Sequence, residues 1–336
     1  MSQPKEIISF SEVNSYRRCP KAWEYRYSQR IKRRFKGVRL LKGEMLHEML
    51  NAYVFAKMDH DYEGPDPWDV LETYAEEFAS YFEEERDMHG DVIGDCGKIF
   101  EGYLRKYRKD PLVYEASEIK VEVNLDIEPF HIPVKFIGFI DKIATDPQGR
   151  RWVMDHKFLK SIPTADDRFS ELQLLLYVWA YGMENPKEKI DGVCWDYARS
   201  KAPTEPEVLK KGGLSKRKNL DCDPYTYLKA IRREGLDATE YVDMLELLEG
   251  KEDTFYERVF LPTPGTDMIV EVVNDFLQTA AEIQAKRDGG RCSRSMSSFN
   301  CATCEYRMIC EAEVRGLDAD FIKKSEYVER GSAHAS

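Results

Sequence analysis

The order of residue patterns along the chain predicts an α/β fold, and three observations carry that expectation. Helical spacing of apolar residues dominates as far as about residue 116. Strand-like patterns then run from Glu118 to Ile127, from Val134 to Asp141 and from Arg151 to Lys157. A helical stretch from about residue 168 to 183 and a further strand-like run over 189–198 follow. The core order is therefore strand, strand, strand, helix, strand behind a helical N-terminal part. A mostly antiparallel sheet would make the class α+β instead.

Ser9 with Glu12 three residues later forms a capping box, and Val13 and Tyr16 follow on one face. That helix ends near Cys19-Pro20, where Pro20 can start a second helix carrying Trp23, Tyr27 and Ile31. From Tyr25 to Gly43 there are eight basic residues and no acidic ones. A third helix is expected over 41–57, and others near 68–86 and 95–109. Asp146-Pro147-Gln148-Gly149 is turn chemistry and predicts a hairpin between the second and third strands. Leu172, Leu176 and Trp179 give the next helix its apolar side. Residues 200–265 read as an insertion, with basic loops, two helices and a strand-like Phe255 to Leu261. A last helix spans about 266–287, and Gly331 to Ser336 reads as a flexible tail.

The 336 residues suffice for one sizeable domain. A hydrophobic content of 42% and a charged content of 33% fit a soluble globular chain. A net charge of −11 argues against a generic polyanion binder, although the basic run can still hold a phosphate backbone. No stretch is apolar for the roughly 18 residues that mark a membrane span, and no signal peptide is apparent at Met1. A cytoplasmic location is expected. There is no phosphate loop of the G-x-x-x-x-G-K-[ST] kind.

Chemistry concentrates in four places. Asp155 and Lys157 are two apart on a strand and share a face, and the hairpin brings Asp141 beside them. Two carboxylates suit a hard divalent cation, and the ammonium suits a polarised water or a developing negative charge. Asp-x-Lys alone occurs by chance in many proteins, so its company matters. His47 lies on a helix with Gly43 one turn earlier; a lone histidine on such a face is more often structural than a ligand. Gln173 and Tyr177 are four apart on the helix after the Asp155 strand and share a face that can look back at the strand edge. Of eight cysteines, Cys301, Cys304 and Cys310 have metal-binding spacing, with Cys19, Cys292 or another as the fourth ligand. Spacing alone does not choose zinc over an iron–sulfur cluster.

Together these motifs resemble the PD-(D/E)xK nuclease superfamily, in its RecB-like branch with the Cas4 and AddB type of iron–sulfur nuclease. The shared order is G-x-x-x-H (Gly43 to His47), G-x-x-D (Gly138 to Asp141), D-x-K (Asp155 to Lys157), Q-x-x-x-Y (Gln173 to Tyr177), and one early cysteine followed by C-x₂-C-x₅-C (Cys19, then Cys301, Cys304 and Cys310). The resemblance covers about residues 9–312. Residues 200–265 lie outside the minimal pattern and look like the insertion of phage-encoded relatives, which implies a phage origin. Cys292 has no place in the pattern.

The resemblance implies a restriction-endonuclease-like core: a central mixed sheet flanked by helices, with an N-terminal helical region and a C-terminal cysteine-rich iron–sulfur region. In one nuclease domain over 1–330, it places the helical part at 9–116, the catalytic sheet at 117–199, the insertion at 200–265, the last helix and cysteines at 266–312, and a tail at 313–336. His47, Asp141 and Asp155, with the carbonyl of His156, resemble the ligands of Mg²⁺ or Mn²⁺. Lys157 resembles the residue that orients or activates water, and Gln173 and Tyr177 the pair that completes the site and contacts DNA. Cys19, Cys301, Cys304 and Cys310 resemble the ligands of a [4Fe–4S] cluster, a staple closing a loop of about 280 residues. Beside the presumed site, Arg30, Lys32, Arg33 and Arg34 are then candidates for phosphate contacts.

The implied activity is that of a metal-dependent DNA exonuclease on single-stranded DNA or DNA ends in recombination or DNA processing, in the cytoplasm of the host cell. Its partners would be a separate helicase, recombinase or single-strand binding protein, with no membrane. An iron–sulfur DNA-end-binding protein with little nuclease activity is the alternative, and a zinc-stapled structural protein a third reading.

Overall fold

The computed structural model describes residues 6–59, 61–168, 171–287 and 289–331. The N-terminal part comprises β1 (Glu6–Ile8), α1 (Phe10–Arg18), α2 (Pro20–Trp23), a π-helical turn over Glu24–Ser28 and β2 (Ile31–Arg33). Helices α3 (Val38–Met58), α4 (Pro67–Ala79), α5 (Glu83–His89) and α6 (Val92–Lys106) follow. The sheet core contains β3 (Val113–Asn124), β4 (Val134–Thr145), β5 (Arg151–Leu159), α7 (Ala165–Arg168), α8 (Gln173–Glu184) and β6 (Gly192–Arg199). After it come α9 (Pro224–Arg233), α10 (Val242–Leu248), β7 (Tyr256–Pro262) and α11 (Thr266–Arg287). The C-terminal part holds α12 (Ser298–Ala302), α13 (Arg307–Arg315), α14 (Ala319–Glu326) and β8 (Tyr327–Glu329).

The central sheet has six strands and is mixed, as expected. Its path is β1-β4-β5-β6-β7, with β3 also on β4. The β1–β4 and β5–β6 pairs are parallel, and the β3–β4, β4–β5 and β6–β7 pairs are antiparallel. Because β3 occupies one edge of β4 nearly throughout, β1 and β5 share the other. Strand β1 pairs with Val134 to Phe136, and β5 with Lys142 to Thr145. Residues 137–141 of β4 thus lie between those two ladders.

Helices cover both faces. On one, α8 and α11 pack with α1 over Phe136, Ile140, Val153, Trp195 and Tyr197. On the other, α3 and α6 supply Met45, Leu46, Ile99, Phe100 and Tyr103. The capping box is half formed. Ser9 Oγ accepts the Glu12 amide at 3.2 Å, but the Glu12 carboxylate is buried and accepts from Trp23 Nε1 at 2.9 Å. Trp23 stacks edge-on to Tyr16 at 5.5 Å, and truncating such a ring costs about 3–5 kcal/mol.

Two boundaries differ from expectation. The insertion builds a small core of its own from Leu214, Cys222, Tyr227, Ile231, Tyr241 and Leu248, but β7 leaves it to become a strand of the main sheet. Residues 313–336, expected as a tail, contain α14 and β8, and β8 pairs antiparallel with β2. The reason is apolar: Tyr306, Ile309 and Tyr327 close with Tyr25 around a separate cluster. Of the expected flexible end, residues 332–336 lie outside the described residues. Among the described residues no helix is long and apolar enough to cross a membrane.

Candidate active site

The hairpin turns where the sequence places it. Asp146 Oδ1 accepts from the amides of Gln148 and Arg150, both at 2.9 Å, and Gly149 takes the positive φ of 76° the turn needs. Antiparallel pairing runs from Thr145↔Arg151 to Lys142↔Met154. One step further, Asp141 faces Asp155 where the strands part. The amide of His156 closes this fork by donating to Asp141 Oδ2 at 2.8 Å.

Helix α3 brings His47 to the fork, with Nε2 3.0 Å from Asp141 Oδ2. A third candidate ligand comes from a residue sequence reasoning missed. Glu118 on β3 has an oxygen 3.8 Å from His47 Nδ1, and His47, Glu118 and Asp141 can each offer a ligand atom within 4.8 Å of the others. Asn51, one turn after His47, holds Glu118 Oε1 at 2.6 Å. The pairs Ser117↔Lys142 and Ile119↔Ile140 put Glu118 across from Asp141. Its backbone has φ 53°, a left-handed conformation that costs a non-glycine residue energy and recurs at functional sites. Strand pairing was the signal that could have found Glu118; the left-handed turn left no mark in the sequence.

On the other side of the fork, Lys157 Nζ lies 2.7 Å from Asp155 Oδ2 and donates to Gln173 Oε1 at 3.0 Å. Gln173 Nε2 donates to the Tyr177 hydroxyl at 2.8 Å. The four residues therefore form one chain from strand to helix. A Cβ on Gly138 would meet Tyr177 Cε1 at 2.7 Å, so the glycine before Asp141 makes room for the tyrosine ring. By contrast, a Cβ on Gly43 would meet nothing within 4 Å.

The electrostatics divide the two carboxylates. Burial disfavours the charge on Asp141, but the hydrogen bond and charge of His47 outweigh it and hold the group below the usual carboxylate range. Burial likewise opposes charge on His47, and Asp141 outweighs it to raise the imidazole. Asp155 goes the other way, pushed up to about 7 by burial, with Lys157 opposing and Asp141 adding to the rise. Burial pulls Lys157 down, and Asp155 more than compensates, raising it.

These residues fit a divalent cation. His47, Glu118 and Asp141 each present a ligand atom within 4.8 Å of the others, and Asp155 adds a buried carboxylate across the fork, paired with Lys157 at 2.7 Å. The oxygen-rich set with one imidazole suits Mg²⁺ or Mn²⁺.

The His156 side chain points elsewhere. Its Nε2 accepts from Lys142, and its Nδ1 lies 3.2 Å from Asp196 Oδ2. Arg258 Nε at 3.0 Å and the Tyr103 hydroxyl at 2.5 Å also donate to Asp196 Oδ2. Its amide and imidazole thus serve Asp141 and this buried network.

Of the four candidates for phosphate contacts, Arg30, Arg33 and Arg34 contact their own chain. Arg34 donates to the carbonyls of Ser325 and Lys324 at 3.2 Å, capping the end of α14. Arg33 lies 3.6 Å from Glu326, and Arg30 donates to the Arg330 carbonyl at 3.3 Å. Lys32 lies on β2 with its side chain exposed.

Cys19, Cys301, Cys304 and Cys310 line one cavity of about 490 Å³, bordered also by Gln173. Cys19 sits between α1 and α2, its Sγ 3.5 Å from the Ser295 amide, while Arg294 donates to Cys310 Sγ at 3.3 Å. Cys292 packs in the main core, and Cys96, Cys194 and Cys222 are buried in others.

No curated protein matches the chain. Among solved structures, the crystal structure of SSO0001 aligns over 82% of this chain and 95% of its own, at 12% identity and a TM-score of 0.30. The model of the PD-(D/E)XK nuclease superfamily matches residues 7–311. That match spans His47, Glu118, the carboxylate fork, Lys157 and the Gln173–Tyr177 helix, and the chain belongs to the PD-(D/E)XK nuclease superfamily.

Proposed function

We propose that this protein is a metal-dependent exonuclease of the Cas4 and AddB type, hydrolysing single-stranded DNA or DNA ends during recombination or DNA processing. Superfamily membership implies the metal-dependent nuclease and its DNA substrate. The observation that carries the reading is the convergence of His47, Glu118 and Asp141 beside a fork that also holds Asp155 and Lys157. His47, Glu118, Asp141 and Asp155 would hold the cation. When bound, it supplies a nucleophilic water near neutral pH and offsets phosphoryl charge.

The chain's own groups do the rest. The Asp155 carboxylate and the Gln173 amide hold the Lys157 ammonium at the fork, where it can orient the attacking water and meet negative charge on the phosphoryl oxygens. Gln173 in turn fixes the Tyr177 hydroxyl, which can position the backbone of the strand. The four cysteines around one cavity support a [4Fe–4S] cluster that joins the N-terminal helices to the C-terminal segment. The insertion between β6 and β7 supports a phage origin.

The deciding experiment digests 5′- and 3′-labelled single and double strands with Mg²⁺ and with Mn²⁺. Release of nucleotides from ends, abolished in Lys157→Ala, is expected. Degradation that survives Lys157→Ala overturns the mechanism. DNA-end binding without degradation by the wild type makes this an end-binding protein instead. Iron and sulfide in the anaerobically purified protein are expected; zinc without iron removes the cluster from the reading.

A further inference from the structure

A second cleft of about 510 Å³ lies along the stretch of β4 between its ladders with β1 and β5. Ile137, Gly138 and Phe139 form its floor, and Tyr177 forms the wall nearest the fork. Gly138 is three residues from Asp141, about 10 Å along the strand. The Tyr177 ring that lines the cleft is also the one held by Gln173 at the fork.

Its charge is one-sided. Arg26, Arg30, Arg287 and Arg330 line it, against one carboxylate, Glu12. Glu12 is buried and already accepts from Trp23 Nε1 at 2.9 Å and Arg287 at 2.8 Å, so it does not neutralise Arg30 and Arg330, while Arg26 pairs with Glu305 at 3.4 Å. Arg30 is held with φ 51°, its carbonyl accepting from the Arg330 amide at 2.6 Å. Two aromatic rings accompany the charge. Phe139 is 50% exposed. The Arg26 and Arg330 guanidiniums lie 5.7 and 5.1 Å from the Tyr27 ring centre.

Resting on the nuclease reading above, we propose that this cleft is a binding track for single-stranded DNA, with bases stacking on Phe139 and Tyr27 and phosphates on Arg30 and Arg330. Arginine beside accessible aromatic faces is the chemistry of sequence-tolerant single-strand binding. A paired duplex keeps its base faces stacked on one another and offers these rings little. The track feeds the strand past Tyr177 to the fork. It also replaces Arg33 and Arg34, which are engaged with Glu326 and the end of α14, as the source of phosphate contacts.

The test measures binding and cleavage separately. Binding of a fluorescent oligothymidylate of about 20 nucleotides is read by anisotropy without added metal, across a salt series. Phe139→Ala is expected to weaken binding roughly tenfold with the salt slope unchanged. Arg330→Ala is expected to weaken it and to lower the log–log salt slope by about 0.7, one phosphate contact. Hydrolysis of thymidine 5′-(p-nitrophenyl phosphate), too small to reach the track, should stay at the wild-type rate in both. Binding within about twofold of wild type in both variants overturns the track. So does equal competition by polyglutamate at matched charge, which would make it an acidic-peptide site. Should Phe139→Ala not fold, Phe139→Leu keeps the apolar volume and removes stacking. If the wild type cleaves neither substrate while binding still depends on Phe139 and Arg330, the nuclease reading falls and the track stands. Cleavage with binding indifferent to both leaves the nuclease and removes the track.

Discussion

Asp141 and Asp155 sit beside Lys142 and His156 on the same two strands, yet the two pairs live in opposite electrostatic worlds. Lys142 and His156 are buried against each other and reach Asp196, Arg258 and Tyr103 in a closed network. Burial and the Lys142 charge pull His156 down to about 4, so at neutral pH its Nε2 is a free acceptor for the ammonium. Burial pulls Lys142 down to about 8, with Asp141 and Asp196 opposing. In the fork, Asp155 Oδ2 is just as buried but pairs with the Lys157 ammonium at 2.7 Å, beside the His47, Glu118 and Asp141 trio. A strand's period of two separates a charge network enclosed in the core from the carboxylates of the candidate cation site. The difference teaches that buried charge here has two uses, and that substitutions should tell them apart.

The largest expected effect is on the open side. Asp155→Asn and Asp141→Asn should lower cleavage by about 10²–10³-fold or more, while stability in chelator moves by about 1 kcal/mol or less for Asp155→Asn. Cleavage assays beside urea unfolding check this; retention of a tenth of the rate by Asp155→Asn would remove it from the site. On the closed side, Asp196→Ala should destabilise by about 3–5 kcal/mol, because Arg258 is left with Asp110 alone and His156 loses its Nδ1 partner. A thermal or urea midpoint near wild type would show that the network does not brace the sheet.

Cation binding sharpens the contrast. Mn²⁺ at about 100 times its Kd should stabilise the wild type by about 2.7 kcal/mol, and Asp141→Asn should lose most of that gain. Equal gains in both proteins would place the ion elsewhere. Gly138→Ala should cost about 1–3 kcal/mol and slow cleavage, since the new methyl displaces Tyr177. Unchanged cleavage would detach Tyr177 from the reaction.

The smallest effect concerns acid. Burial opposes charge on Asp196, but Arg258, His156 and Tyr103 hold its folded pKa below the unfolded value of about 3.9. The unfolded chain therefore takes up the proton first. This contribution is complete above that pH and is lost as pH falls through the folded pKa. Asp196→Asn should flatten the acid limb of stability; a limb of wild-type steepness would show that other carboxylates set it.

Much of the fork was legible because its determinants are local. The turn at Asp146 to Gly149 fixes the hairpin, the hairpin fixes Asp141 against Asp155, and the spacing of Gln173 and Tyr177 fixes a helix face. What was hidden depends on contacts between distant segments. Glu118 needs its pairing with β4 and a strained φ to become a ligand candidate. Arg34 reads as a phosphate binder until α14 arrives beneath it. Asp196 and Arg258 carry no motif, and only the adjacency of β6 and β7 joins them.

The ribbon of β2 and β8 has a consequence for synthesis. Strand β2 and Cys19 leave the ribosome early, but β8 and Cys310 come roughly 290 residues later. At about 5–20 residues per second, the early half of this lobe waits on the order of 15–60 s for its complement. The hairpin and α3 can meet well before then. The fork is thus assembled on a nascent chain whose clasp is still missing, and synthesis of β8 is the event that closes the lobe.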